Sequence, residues 1–425
     1  MTRIAIIGGQ LLDPASETLS EGGVFIADGQ IIAIGAEPLG FQADEVLQAH
    51  GSIVCPGFID LSVYLREPGY EHKATIASET LAAVKAGVTT LCCQPETNPV
   101  IDTPAVVELI RERALSAGRA KVIAFGAISR GLEGRVLSEM YALRRAGCLA
   151  VSSGRKSLAN ALIWRRALEY ATTHELSVVV RPQDLDLSAG GCVHEGKVAT
   201  RLGLPGIPVS AETVMVAQIL ALVEETGARV HFSCLSTARA AAMIAEARRQ
   251  GLPVSGDAAA HQLHLTEDAV EGFDPMAHVI PPLRSEADRQ GLRQALAEGT
   301  IAAVCSDHQP HEADAKCNVF AATESGISAL ETLLPLTLRL VEEKILPLPR
   351  AIARLTLGPA QVLGLPSGRL TLGAPADLCV FDPEAQWTVD ETNWLSRGRN
   401  TPFWGQRLKG RVRYTLVDGR VVWRA

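Results

Sequence analysis

Two stretches of this 425-residue chain join apolar runs to side chains that can do chemistry: "DLSVYLREPG" at 60–69 and "SDHQPH" at 306–311. Alternate side chains of a strand share a face, so Ser62 and Tyr64 point the same way at the end of the first run, with Arg66 just beyond. A metal-dependent hydrolase sets imidazoles at such paired positions, because zinc takes imidazole nitrogen, thiolate or carboxylate. A serine hydroxyl is a poor ligand, and a tyrosine with a reference pKa near 10 stays a phenol at neutral pH. Other apolar runs end on further candidates: Asn98 in "QPETNP", Ser152-Ser153-Gly154, Arg181, His231 with Cys234, His261, and Asp307, His308 and His311.

These positions need a scaffold that brings strand ends together. Between about residues 53 and 345, eight near-continuously apolar runs, from "IVCPGFIDLSVYL" to "IAAVCSDH", alternate with segments of helical spacing. Such runs fit parallel strands covered on both faces. Thr103-Pro104 opens one helix and Gly118 follows it; Ser210 and Ser285 precede two others, which stop at Gly227 and Gly299. Eight consecutive strand–helix units predict a closed α/β (β/α)8 barrel, in which functional residues gather at the C-terminal strand ends. Both chain ends read instead as short strands, with hairpin turns at Asp28-Gly29 and Asp418-Gly419. The expectation is a barrel over 53–365 and a small composite β-sandwich from 1–52 and 366–425. "IIGG" near the start lacks the helix and third glycine of a dinucleotide loop.

Composition excludes several classes. Net charge is −7 and the pI about 5.9, which offers no surface for nucleic acid or anionic membrane. The apolar fraction is 47% with aromatics at 4%, and no apolar stretch approaches transmembrane length. The first residues lack a secretory signal, so a cytoplasmic location is expected. The nine cysteines are odd in number and scattered; Cys55, Cys92, Cys93, Cys305 and Cys379 lie in apolar runs and read as reduced core thiols.

The stretches "PGFIDLSVYLREPGYEHKATI", "TNPVIDTP", "HEGKVATRLGLPGIPVSAE", "PPLRSEADRQGL", "SDHQPH", "GRLTLGAPADL" and "SRGRNTPFWG" run over nearly the whole length and resemble the dihydroorotase family of the amidohydrolase superfamily. The resemblance implies the same barrel with a composite β domain. It also implies a metal site whose ligands are mostly replaced here. Ser62 and Tyr64 stand where active relatives carry H-x-H, Ser153 lies in the turn of the bridging Asp, and Arg181 and Cys234 take the places of two histidines. Only Asp307, which activates the bridging hydroxide in relatives, remains. Arg181 keeps its proton and would repel a dication. Without the metal, nothing lowers the pKa of water toward 7. The expectation is therefore no metal, no cofactor and no catalytic residue, with Arg181 pairing a vestigial Asp307 across the old site.

A relocated single-metal site built from Cys234, His231, Asp307, His308 and His311, or a Cys234 nucleophile, are weaker readings. Cys234 as a buried thiol and His231 as a hydrogen-bonded core histidine suit those residues better. Arg66, Asn98 and His311 match the residues that hold the substrate carboxylate in the family, so a vestigial ligand pocket is expected there; loop shape alone is the alternative. His261-Gln262 and Val279-Ile280 stand near places where relatives have a His pair and an Asn. His50, His72, His174, His194, His264 and His278 show no ligand spacing and read as surface or helix-end residues. By resemblance, the leading expectation is a non-catalytic homologue that serves as a structural chain of aspartate carbamoyltransferase, a homodimer within a larger hetero-oligomer. The alternatives are a residual metal-dependent cyclic amidohydrolase and a ligand-sensing subunit that binds dihydroorotate or carbamoyl aspartate.

Overall fold

The eight apolar runs pair each with the next in parallel and close on themselves. In the computed structural model, which describes residues 2–425, the barrel strands are Phe58–Val63, Val88–Cys93, Lys121–Ala124, Ala150–Ser152, Ser177–Val180, Val230–Phe232, Val254–Ala259 and Ile301–Cys305. The third continues as Gly126–Ala127 beside the fourth. Closure is made just past the strand ends, where Tyr64 N donates to His308 O at 2.9 Å and His308 N to Ser62 O at 3.1 Å. Nearly every strand residue is buried, as a sheet with helices outside and packed side chains inside requires.

Helix ends follow local chemistry. Pro104 opens Pro104–Ala117, and Gly118 ends it in the left-handed region. The Ser285 hydroxyl accepts from Asp288 N to cap Glu286–Glu298. Ser210 is the first residue of Ser210–Thr226 rather than its cap.

The chain ends form the expected composite β domain, eight strands linked through Arg3–Asp13, which pairs with Glu45–Gln48 along its first half and with Ile53–Pro56 beyond its bulge. It curls around its own core of Ile4, Ile6, Val24, Leu47, Val54 and Leu378. Asp28-Gly29 and Asp418-Gly419 turn two of its hairpins, all four residues with positive φ. The expected domain boundary at residue 53 moves. Ile53–Pro56 pairs with the end strands Arg3–Asp13 and Leu378–Thr388, and the barrel begins at Phe58. One apolar run thus serves two sheets, and Gly57 marks the passage: a Cβ there would meet Thr89 Cγ2 at 2.2 Å.

The barrel floor is plugged by Leu357–Leu363, whose Ala360 and Leu363 join a core with Ile59, Leu61 and Cys305. A Cβ on Gly358 would lie 1.9 Å from the Ala302 carbonyl oxygen of the eighth strand. That oxygen is backbone and cannot yield. Gly358→Ala is expected to destabilise the protein by roughly 1–3 kcal/mol, seen as a lower urea midpoint with an unchanged slope. An unchanged midpoint would show that the plug does not seat as described.

Candidate functional site at the barrel mouth

The side chains at the strand ends converge on one buried ion pair. Arg181 follows the fifth strand, and its Nη2 lies 2.5 Å from Asp307 Oδ2, just past the eighth. Asp307 sits at φ 49, which turns its carboxylate inward. Ser62 Oγ donates to its Oδ1 at 3.1 Å and Gln309 Nε2 to its Oδ2 at 3.1 Å. Arg181 Nη1 donates to the Tyr64 hydroxyl at 3.1 Å. Burial pushes the Asp307 carboxyl up, but the Arg181 charge and hydrogen bond outweigh it and hold it below its ordinary value. Arg181 is weakened by burial yet held strongly protonated by Asp307. Burial, then Glu96, pushes the Tyr64 phenol far up, so it keeps its proton.

This arrangement has no room for the metal pair that the resemblance implies. The Arg181 fork fills the space beside Asp307, Tyr64 is a phenol, and Ser153 Oγ turns to Gly154 O at 3.4 Å. Cys234 faces down, with its Sγ 3.8 Å from Cys305 Sγ and 3.7 Å from Ser62 Oγ. The donors of a zinc site are replaced by neutral hydroxyls and a cation.

Next to the pair lies a second cationic group. Arg66 is 7% exposed. Its Nε donates to Pro310 O at 3.1 Å, and its Nη2 lies 3.1 Å from His311 Nε2. Among the described residues no carboxylate lies within ion-pair distance of it. Arg66 and Arg155 stand over the Tyr64 ring at 5.4 and 5.5 Å. Burial, then the Arg66 and Lys73 charges, lowers the His311 pKa to about 2, so the ring is neutral. Segment 312–326 covers the group: Lys73 Nζ meets Glu324 Oε2 at 2.6 Å, and Arg155 Nη1 donates to Ser325 Oγ at 3.2 Å.

Other expected residues lie elsewhere. Asn98 is exposed and touches the Arg66 loop through its backbone, N to Pro68 O at 3.0 Å. Its side chain does not reach Arg66 or His311, because the "TNP" turn directs it outward. His308 leaves the mouth altogether: its Nε2 is 2.8 Å from Glu79 Oε2, and its Nδ1 accepts from Ala329 N. The relocated metal site is therefore not assembled. His231 sits between Ser255 Oγ and Asp257 Oδ2, each at 2.8 Å. His194, His264 and His278 are buried rather than surface residues; they bond Arg284, Leu336 O of the helix Leu333–Glu342, and Thr323. His261 is buried and feels both Asp307 and Arg181; burial drops its pKa to about 4. Sequence reasoning missed Gln309, Arg155 and Glu96. Gln309 lay within "SDHQPH" and Glu96 within "QPETNP", but nothing in the pattern marked Arg155.

Residues 51–240 match the dihydro-orotase-like family, and 325–423 match the amidohydrolase family. The chain is 52% identical to the dihydroorotase-like protein of Pseudomonas aeruginosa strain PAO1 over 98% of this chain and 99% of that one. It is 46% identical to the dihydroorotase of Anaeromyxobacter dehalogenans strain 2CP-1 (98% and 97% covered) and 44% identical to that of Syntrophotalea carbinolica (99% of each). In fold it resembles the L-hydantoinase of Arthrobacter aurescens, with a TM-score of 0.88 at 23% identity over 100% of this chain and 96% of that one. These findings correct the expectation that the chain is not an enzyme. Relatives this similar over nearly the full length are named for a hydrolytic activity, and loss of a ligand set does not establish inactivity. No helix among the described residues is long and apolar enough to cross a membrane.

Removing one member of the buried pair strands the other. Asp307→Asn is expected to cost about 3–5 kcal/mol, whereas Arg181→Met with Asp307→Leu recovers most of it. The sign of the pH dependence follows from the depressed Asp307 value. The unfolded carboxyl titrates near ~3.9, so the pair contributes fully above about pH 4 and fades as pH falls through the folded value. Urea midpoints from pH 3 to 7 for wild type and double variant check this; a pH-independent difference would contradict it.

Proposed function

The chain belongs to the dihydroorotase-like family of amidohydrolases, and on that premise we propose that its barrel mouth binds a carboxylate-bearing cyclic amide, or the ring-opened carbamoyl amino acid, in the manner of dihydroorotate and carbamoyl aspartate. The observation that carries this reading is Arg66. A nearly buried guanidinium without a carboxylate partner is costly to keep; the Arg66 guanidinium hydrogen-bonds a carbonyl oxygen and a neutral imidazole, lies over the Tyr64 ring, and feels the Glu324 and Glu96 charges only beyond ion-pair distance. A ligand carboxylate supplies the missing charge and fits the planar fork in two parallel bonds.

The Tyr64 phenol lies next to this anchor, accepting from Arg181 Nη1 and donating to Glu96 Oε1 at 3.4 Å, a long bond that an amide carbonyl oxygen would replace. The reaction class of the family is hydrolysis of a cyclic amide: water adds its hydroxyl to the carbonyl carbon, the C–N bond breaks, and nitrogen takes the proton. In this chain the residues at hand polarise and position the amide; no ligand set for a mouth metal takes part. Entry requires segment 312–326 to lift. The Lys73–Glu324 link that holds this segment joins a buried ammonium to a half-exposed carboxylate.

Thermal shift and calorimetry with dihydroorotate and with carbamoyl-L-aspartate test the reading, alongside a ring-opening assay on the same samples. A ligand at about 100 times its dissociation constant adds roughly 2.7 kcal/mol. Arg66→Gln removes a charged bidentate contact and is expected to weaken binding roughly tenfold to a hundredfold. If neither compound shifts the wild-type melt, or Arg66→Gln binds equally well, the proposal fails.

Association with an aspartate carbamoyltransferase chain, implied by the resemblance, is part of the same proposal. Co-expression should yield a species larger than either chain alone, with carbamoyltransferase activity dependent on the present one. Separate elution with unchanged activity would refute it.

A further inference from the structure

Beneath the Arg181–Asp307 pair, a second layer of the barrel interior holds two thiols and two carboxylates that the mouth does not use. Cys234 Sγ lies 3.8 Å from Cys305 Sγ, and Cys305 Sγ lies 3.4 Å from Asp257 Oδ1. One donor atom from each of the three falls within 4.8 Å of the others. Two thiolates at ~2.3 Å and a carboxylate oxygen at ~2.1 Å from a tetrahedral zinc ion stand about 3.8 and about 3.6 Å apart. The two distances found, 3.8 Å between the thiols and 3.4 Å from Cys305 to Asp257, are close to those of such a tetrahedron, and Cys234 and Asp257 present donors within 4.8 Å of each other. We propose that Cys234, Cys305 and Asp257 form a buried binding site for one thiophilic divalent cation of the zinc class.

Independent features support the assignment. Asp60 Oδ2 is fully buried and has no hydrogen-bond partner, while its Oδ1 accepts from Ser62 N and Ser306 N. Asp60 neighbours the cluster without belonging to it, since the group with donor atoms within 4.8 Å of one another consists of Cys234, Asp257 and Cys305. Asp257 is already oriented: Cys234 N donates to Oδ1 at 2.5 Å, and His231 Nε2 holds Oδ2 at 2.8 Å. Such imidazole–carboxylate support is what metal-binding carboxylates require. The site differs from the family's metal pair at the mouth. It shares one position with it, Cys234, and draws Cys305 and Asp257 from the eighth and seventh strands. Arg181 does not bar it, because that charge is neutralised by Asp307. On binding, both thiols give their protons to solvent and the ion takes two Sγ ligands. The donors are buried, so the ion clamps strands six to eight rather than meeting substrate.

The test uses the full chain with Cys317→Ser, which removes the exposed thiol, expressed in zinc- or cobalt-supplemented medium. About one metal per chain by elemental analysis, a thiolate-to-cobalt charge-transfer band, and X-ray absorption showing two sulfurs near ~2.3 Å are expected. Cys234→Ser and Cys305→Ser should each abolish the band, and His231→Gln should weaken metal affinity roughly 10–100-fold. A metal-free chain, a band that survives both cysteine variants, or a Cys234–Cys305 disulfide in freshly reduced protein overturns the proposal. Should the variants not fold, sulfur coordination in the parent protein decides alone. Ligand binding at Arg66 reads out separately, so either proposal can fail without the other.

Discussion

The buried pair between Arg181 and Asp307 is the constraint around which the barrel mouth is arranged. A carboxylate with almost no water access must be neutralised or lose its charge. Here a guanidinium at 2.5 Å does so, and the same guanidinium orients Tyr64. Ser62 and Gln309 fill the remaining acceptor positions of Asp307. Each of these side chains is therefore set by one charge, and the positions that would carry metal ligands have become its hydrogen-bonding shell. With that pair closed on itself, Arg66 is the cation left facing an unfilled partner.

The loops above the mouth are held by carboxylates of a second kind, buried and saturated with donors. Glu212 receives the backbone N–H groups and hydroxyls of Ser236 and Thr237. Glu79 receives His308 Nε2, Ser396 Oγ and Arg397 N. Asn400 accepts from His311 N and donates to the carbonyls of Gln309 and Gly326. These contacts give "SRGRN" a purpose unrelated to chemistry: it fixes the peptide that carries Gln309 and His311. A mouth built this way holds its donors in place before any ligand arrives, which limits the ordering cost on binding.

Much of this was readable along the chain. Continuous apolar runs alternating with helical segments specify covered parallel strands, and eight in a row specify closure. Asp28-Gly29 and Asp418-Gly419 marked their hairpins, because few other residues accept positive φ at both turn positions. The meeting of Arg181 with Asp307 followed from the family resemblance together with charge, since a guanidinium stood at a position the resemblance assigns to a metal ligand and Asp307 needed a counter-ion. Less accessible was the split at Gly57, where one uninterrupted apolar run serves two sheets and nothing in its pattern shows the change of partner. The orientations of Asn98 and His308 were equally hidden, because a strand-end position does not say which way the loop turns after it.

Sequence by itself determined which charges and donors exist at the rim, and therefore that the positions the resemblance assigns to metal-binding imidazoles hold other groups, a guanidinium among them. That is a matter of side-chain identity, which no fold can alter. Tertiary structure alone decided the depth at which those groups meet. Cys234, Asp257 and Cys305 are far apart in the chain and carry no common motif. Their convergence depends on the tilt of strands six, seven and eight and on the left-handed backbone at Cys234 (φ 55) that turns its thiol inward. Contacts of that kind arise from barrel closure, where residues from separate strands share one interior layer, and so they are absent from any local pattern.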